Sequence, residues 1–322
     1  MRKKLFVLTI VASCIASLSA FGQSVDIEKL SDLSPRSIGP AGMSGRVTDI
    51  DVVLREPTVM YVATASGGLW KSESGGVEWN PVFDDERVIN LGSVAIDQSN
   101  PDIVWVGTGE GNPRNSISSG YGLYKTIDGG KNWKLMGLEN TRQIHRIIVD
   151  PTNSDVVYVG ATGSPWGPHP ERGVYKTTDG GKSWKKILYV NETTGVGDMV
   201  MDPFNPNKIF VNMWDHQRWP WFFRSGGPGS GLYVTHDGGE NWKELTGEDG
   251  LPEGELGRMG IAIARNNTDI VYAIIESKAN ALYRSDDGGF TWRKMSDQNI
   301  GNRPFYSYEI YVDPANENRI YS

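Results

Sequence analysis

Two acidic residues, Glu110 and Asp215, fall in long variable loops between strand-like segments. Cleaving a glycosidic bond takes two carboxylates flanking it, about 5–10 Å apart. These two are the candidate catalytic pair, although their separation cannot be read from the sequence. Asn112 and Arg114 share the loop of Glu110, and His169 and Glu171 lie in the next one. Arg46, His145, Arg146 and Arg258 stand where innermost strands begin. Such a ring can bind a carboxylated ligand through paired N–H donors, or it can bridge neighbouring elements and cap their carbonyls. The run from Trp214 to Phe223 holds five aromatic residues, Trp219 among them. It reads either as a stacking platform for a sugar or peptide, or as a surface that docks a second domain or protomer. No phosphate loop, G-x-S-x-G or H-E-x-x-H occurs. Neither a metal nor a cofactor is expected.

These residues need a scaffold, and a repeated turn supplies it. Thr177-Thr178-Asp179-Gly180-Gly181-Lys182-Ser183-Trp184 is one of five copies of an eight-residue turn, ending at Trp79, Trp133, Trp184, Trp242 and Trp292. The tryptophans are spaced by 54, 51, 58 and 50 residues. Four copies read [ST]-x-Asp-Gly-Gly-x-x-Trp, with Asp128, Asp179, Asp237 and Asp287; the first has Ser74 instead. A period near fifty residues is one supersecondary unit repeated. Paired glycines supply the positive φ of a tight hairpin. The aspartate accepts N–H groups of its own turn, and the tryptophan is expected to pack inward, equivalently in each unit. Asp128, Trp133, Asp179, Trp184, Asp237, Trp242, Asp287 and Trp292 are therefore assigned to structure, because a folding device is copied and a working site rarely is.

The turn resembles the Asp-box, or bacterial neuraminidase repeat, of sialidases, some glycoside hydrolases and sortilin-type propellers. The stretch Ser37 to Val47 is similar to the start of secreted bacterial sortilin-like Asp-box proteins, many of them labelled glycosyl hydrolases. The resemblance implies an all-β propeller of four-stranded antiparallel blades, covering residues 35–322. It implies a binding protein for a peptide, protein or glycan, or alternatively a hydrolase of polysaccharides. The Phe-Arg-Ile-Pro signature of sialidases is absent. So is the acidic residue that xyloglucan-type hydrolases carry just after the second strand of an early blade, since Ala63 to Gly68 has none.

Each repeat reads as two strands joined by a short Asp-Pro-type turn, a variable loop, a third strand, the Asp-box and a fourth strand. This gives about five blades. Tyr311 to Tyr321 repeats the first half of a sixth, which points to a fragment whose further C-terminal blades or domain lie beyond it. Variable length is concentrated in Gly109–Gly122, Gly163–Gly173 and Trp214–Gly231, all on the face opposite the Asp-boxes. Loops held on a rigid scaffold are where binding residues concentrate.

The 322 residues carry a net charge of −7, which argues against nucleic acid or an anionic membrane as partner. Met1–Gly22 reads as a Sec signal peptide, with Arg2, Lys3 and Lys4 before an apolar stretch too short to span a membrane. This predicts export to the periplasm or beyond. Cys14, the only cysteine, lies inside it and offers a less favoured lipid anchor. Residues 23–34 read as a leader.

Overall fold

The computed structural model describes residues 45–300, 305–306 and 308–322. The signal segment, Cys14, the leader and Ser37 to Ser44 lie outside the described residues. What is described is all-β. Only two short 3-10 turns, Glu139–Thr141 and Gly247–Asp249, interrupt the strands.

The strands form consecutive antiparallel meanders. Sheet 1 comprises β1 (Val47–Val52), β2 (Met60–Thr64), β3 (Leu69–Ser72) and β4 (Asn80–Pro81). Sheet 2 comprises β5 (Leu91–Ile96), β6 (Val104–Thr108), β7 (Leu123–Thr126) and β8 (Lys134–Leu135). Sheet 3 comprises β9 (Ile144–Val149), β10 (Val157–Ala161), β11 (Gly173–Thr177) and β12 (Lys185–Leu188). Sheet 4 comprises β13 (Thr194–Asp202), β14 (Asn205–Arg218), β16 (Gly231–Thr235) and β17 (Lys243–Leu245), with β15 (Phe223–Ser225) paired to the far end of β14. Sheet 5 comprises β18 (Met259–Ile263), β19 (Val271–Ile275), β20 (Ala281–Ser285) and β21 (Arg293–Ser296). A two-stranded sheet of β22 (Tyr311–Asp313) and β23 (Asn316–Tyr321) follows.

Alternating apolar residues on both faces of each sheet pack against the next one, so a separate core fills every gap. Tyr61, Phe83, Val94 and Val106 lie between sheets 1 and 2, and Trp105, Ile147 and Val159 between sheets 2 and 3. Val174, Met199 and Val211 fill the next gap, and Phe210, Leu232, Ile261 and Trp292 the one after. The first strands β1, β5, β9, β13, β18 and β22 stand in succession, each beside the next.

Every motif turn joins the third strand of its sheet to the fourth and lies over the turn between the first two strands. Gly129 N donates to Asp102 O and Gly180 N to Asp155 O, both at 3.0 Å. In the third copy the Thr177 hydroxyl donates to Asp179 Oδ1 (2.7 Å) and accepts from Gly181 N (3.0 Å), while Ser183 N donates to Asp179 Oδ1 (2.9 Å). The same bonds recur around Asp128, Asp237 and Asp287. In the first copy Ser74 Oγ accepts from Glu78 N at 2.8 Å. The turns also tie sheet to sheet. Tyr61 and Lys71 of sheet 1 both donate to Gly129 O in the turn of sheet 2, and Tyr158 and Lys176 of sheet 3 to Gly238 O in that of sheet 4.

The tryptophans depart from equivalent burial. Trp292 is buried, whereas Trp79, Trp133, Trp184 and Trp242 are half-buried. Each of the later ones leans back onto the preceding sheet: Trp133 meets Phe83 edge-on at 5.2 Å, Trp184 meets Trp105 at 6.2 Å, and Trp292 meets Phe210 at 6.3 Å. The four half-buried rings stay partly in water.

Candidate functional site

The loops joining second to third strands gather at the end of the molecule away from the motif turns. The structure alters what the aromatic run does there. Trp214 belongs to β14, is fully buried, stacks on His216 with ring centroids 4.0 Å apart, and donates to Ser225 Oγ at 3.0 Å. It is therefore part of the core and not a surface anchor. The run forms a projecting hairpin, because β14 continues to Arg218 and β15 folds back on it, pairing His216 with Ser225 and Arg218 with Phe223. Aromatic content exceeds what the sheet can bury, and the surplus is at the tip. Trp221 is 82% exposed and Phe222 57%; with half-buried Trp219 they bound an open concavity of about 430 Å³.

Arg218 holds this hairpin. It is buried, and its guanidinium donates to Asn115 Oδ1 (2.7 Å), Pro113 O and Tyr306 Oη (3.2 Å) while lying 4.3 Å from the Phe223 ring. Arg218 N donates to Pro165 O at 2.7 Å. One residue thus joins the loops of sheets 2, 3 and 4 to the segment entering β22. Arg172, also fully buried, fixes the sheet 3 loop by donating to Thr193 O (2.6 Å) and Ser164 O (2.7 Å).

Six of the ten expected binding residues join two polar groups at the starts of the inner strands. Glu110 is buried and closed by a two-pronged ion pair with Arg46, whose Nε lies 3.0 Å from Oε1. Arg258 donates to His145 Nε2 (2.8 Å) and to Asn112 Oδ1 (3.4 Å). Arginine can only donate, so Nε2 is the unprotonated nitrogen of His145. Burial first, then Arg146 and Arg258, hold that imidazole well below its usual pKa, and it stays neutral. Tyr308 Oη touches the same nitrogen and lies 3.4 Å from Arg146 Nη2, and its ring lies 3.6 Å from the Arg258 guanidinium. Arg146 is committed to Asp198 (2.8 Å). Arg114 is exposed and joins neither group; Trp214 touches the cluster through the Arg258 guanidinium, 4.9 Å from its ring.

The carboxylates Glu110 and Asp215 are not brought together as a pair; each is buried beside its own arginine, Arg224 pairing with Asp215 at 2.7 Å. A different acid stands on the segment joined to that of Asp215. Glu276 follows β19 directly, accepts from Ser225 Oγ (2.5 Å) and Arg258 N (2.8 Å), and is pushed above the usual carboxylate range by burial. Gly227 lies against Asp215 and Gly257 against Glu276, and the two segments are joined by the bond from Gly227 N to Leu256 O at 3.3 Å. A Cβ at either position would meet a carboxylate oxygen, at 2.6 Å or 2.2 Å, and push that carboxylate aside. Glu276, Arg218, Arg172, Asp198 and Tyr308 escaped the sequence reading. For Glu276 a signal exists: it stands just after a second strand, as Glu110 nearly does.

Comparison with known proteins agrees with this architecture. The family described as "Sortilin, neurotensin receptor 3" matches residues 121–251. An oligoxyloglucan-reducing end-specific xyloglucanase of Emericella nidulans is 24% identical over 63% of this chain and 24% of its own. A xyloglucanase of a Paenibacillus species is 22% identical over 94% of this chain and 26% of its own. The crystal structure of a GH74 enzyme of Niastella koreensis superposes with a TM-score of 0.63 at 19% identity, over 85% of this chain and 43% of that one. The chain is thus similar to sortilin-like and xyloglucanase propeller proteins. It spans about a quarter of the length of the first two xyloglucanases it matches. Among the described residues no helix is long and apolar enough to cross a membrane, and no group of three potential metal ligands occurs.

Proposed function

We propose that this chain is a glycoside hydrolase-type propeller, its five sheets and the β22–β23 pair serving as blades, and that it takes a xyloglucan-like polysaccharide on the face opposite the Asp-boxes. The observation that carries this is the β14–β15 hairpin. Trp221 and Phe222 are exposed on a tip whose base is locked by Arg218, so a flat apolar surface is presented without a flexible support. Sugar rings stack on such faces through their C–H groups, and an aromatic pair supplies most of the energy of such an interface. The names of the relatives favour a polysaccharide as that ligand.

Hydrolysis is assigned to Asp215 and Glu276 in place of Glu110. Arg224 supplies a counter-charge for Asp215, whereas burial keeps Glu276 protonated to a higher pH. A carboxyl that burial keeps protonated can serve as the acid, and a second carboxylate paired with an arginine as the base. The match to the sortilin family over residues 121–251, which include the hairpin, favours a second reading in which a peptide or protein binds there without turnover. Export by the N-terminal segment fits either reading. Trp221→Ala/Phe222→Ala tests the face: xyloglucan oligosaccharide affinity should fall at least tenfold with the fold intact. Unchanged affinity would refute the assignment of the ligand to this face.

A further inference from the structure

A second space lies at the centre of the molecule, and it faces the other way. The first strands of the sheets, from β1 to β22, enclose a cavity of about 810 Å³. Its lining begins at the level of Ser93, Arg146 and Asp198 and runs to Pro203 and Arg265, beside the turns over which the Asp-boxes lie. Toward the long-loop face the strands close up. Gly92, Gly195 and Gly260 each sit second in their strand. A Cβ at Gly92 would fall 2.2 Å from Ile144 O, at Gly195 2.1 Å from Thr162 O, and at Gly260 1.7 Å from Tyr308 O. Above this collar His145, Arg258 and Tyr308 are buried and bonded to one another. This buried cluster bounds the cavity toward the proposed polysaccharide face, and the lining reaches the Asp-box end at Pro203 and Arg265.

Its charges do not cancel. Asp198 pairs with Arg146. Asp49 and Asp51 receive only neutral donors: Ser93 Oγ (2.7 Å), Val94 N (3.0 Å) and Ile50 N (3.0 Å) for Asp49, Ile96 N (2.7 Å) and Val52 N (2.8 Å) for Asp51. The bonds from Val94 and Ile96 satisfy N–H groups on the open edge of β5, and acceptor capacity is left on both carboxylates. Arg146 acts on Asp49 through its field without contact. Glu309 adds a third carboxylate whose bond is to Tyr311 Oη (3.1 Å). Among the described residues no cation comes within salt-bridge distance of these three, and Arg265 is exposed at the rim. Burial raises Asp49 and pushes Asp51 up to about 6, the expected response of carboxylates without a counter-ion. Beside them Val47 and Ile50, each 55% exposed, offer the cavity apolar surface.

We propose that this cavity is a binding site, entered from the Asp-box face, for a ligand that presents a protonated amine or guanidinium on an aliphatic stem. Asp49 and Asp51 bind the cation, and Val47 and Ile50 pack against the methylenes. Free polyamines and the basic side chains of a peptide share that chemistry. The site is independent of the polysaccharide face.

Calorimetric titration of the 322-residue chain with spermidine, and separately with a trilysine amide, tests this. Saturable 1:1 binding of at least one probe is expected, and the tighter probe identifies the source. Asp49→Asn/Asp51→Asn should weaken it at least tenfold, because asparagine keeps one acceptor oxygen for the strand-edge bonds, gives up the bond from the next residue's N–H, and carries no charge. Ile50→Lys, which places the chain's own ammonium in the cavity, should abolish it without lowering Tm. Both variants should keep the wild-type affinity for xyloglucan oligosaccharides, if wild type has one. Absence of saturable binding to wild type, or wild-type affinity in both variants, would overturn the proposal whatever the polysaccharide result.

Discussion

Trp184→Ala measures what a motif tryptophan contributes between sheets. A fully buried indole removes about 150–250 Å² from water. Trp184 is half-buried, so about 100 Å² is at stake, and at about 25 cal/mol/Å² its loss costs about 2.5 kcal/mol. Its Nε1 donates to Met136 O at 2.8 Å across the gap, and losing that bond costs about 1 kcal/mol more. The edge contact with Trp105 brings the expected loss to about 4 kcal/mol. Trp292 is only 5% exposed and should cost about 5 kcal/mol. Trp79 donates to Gly76 O within its own turn and staples no earlier sheet among those described, so Trp79→Ala should cost least. Trp184→Phe keeps most of the ring and should cost about 1–2 kcal/mol. Urea unfolding with a common m-value reads all four. Equal costs for Trp79 and Trp292, or a loss under about 1 kcal/mol at Trp184, would refute the inter-sheet role.

Two further predictions concern carboxylates. Asp179→Ala should lower Tm while leaving oligosaccharide affinity in the folded fraction unchanged, as checked by parallel melting and binding curves. In the fifth copy the Asp287 carboxyl is lowered to about 2 by hydrogen bonds within its turn, against the cost of burial. Its contribution is complete above about pH 4 and lost as pH falls toward 2. Asp51 has the opposite sign. Its folded pKa is raised to about 6, so the native state holds its proton more tightly and stability falls as pH rises from about 4 through 6. Asp51→Asn should therefore add about 1–2 kcal/mol at pH 7.5 and little at pH 4, read from melts at both values.

The repeat was legible because glycine pairs, a capping acid and a tryptophan serve short-range geometry, and short-range geometry is written locally. The expected strand order within each repeat follows from the same alternation. The site was less legible, since its partners come from distant repeats. Arg46 meets Glu110, and Arg258 meets His145, only after the sheets pack. Trp214 misled because an aromatic-rich run broken by Pro220 reads as loop, whereas β14 carries Trp214 into the core. Tyr308 reads as an ordinary strand residue, and nothing in its neighbourhood announces three polar partners. The sequence reading also put binding without turnover first; the xyloglucanase relatives favour its alternative.

Release of reducing sugar from xyloglucan tests the central claim most directly. Wild type should release it, and Asp215→Asn and Glu276→Gln should each abolish release while retaining oligosaccharide affinity. Glu110→Gln should reduce rate only as far as it loosens the loop held by Arg46. Turnover that survives both the Asp215 and Glu276 changes, or wild type that binds xyloglucan without ever cleaving it, would contradict the account.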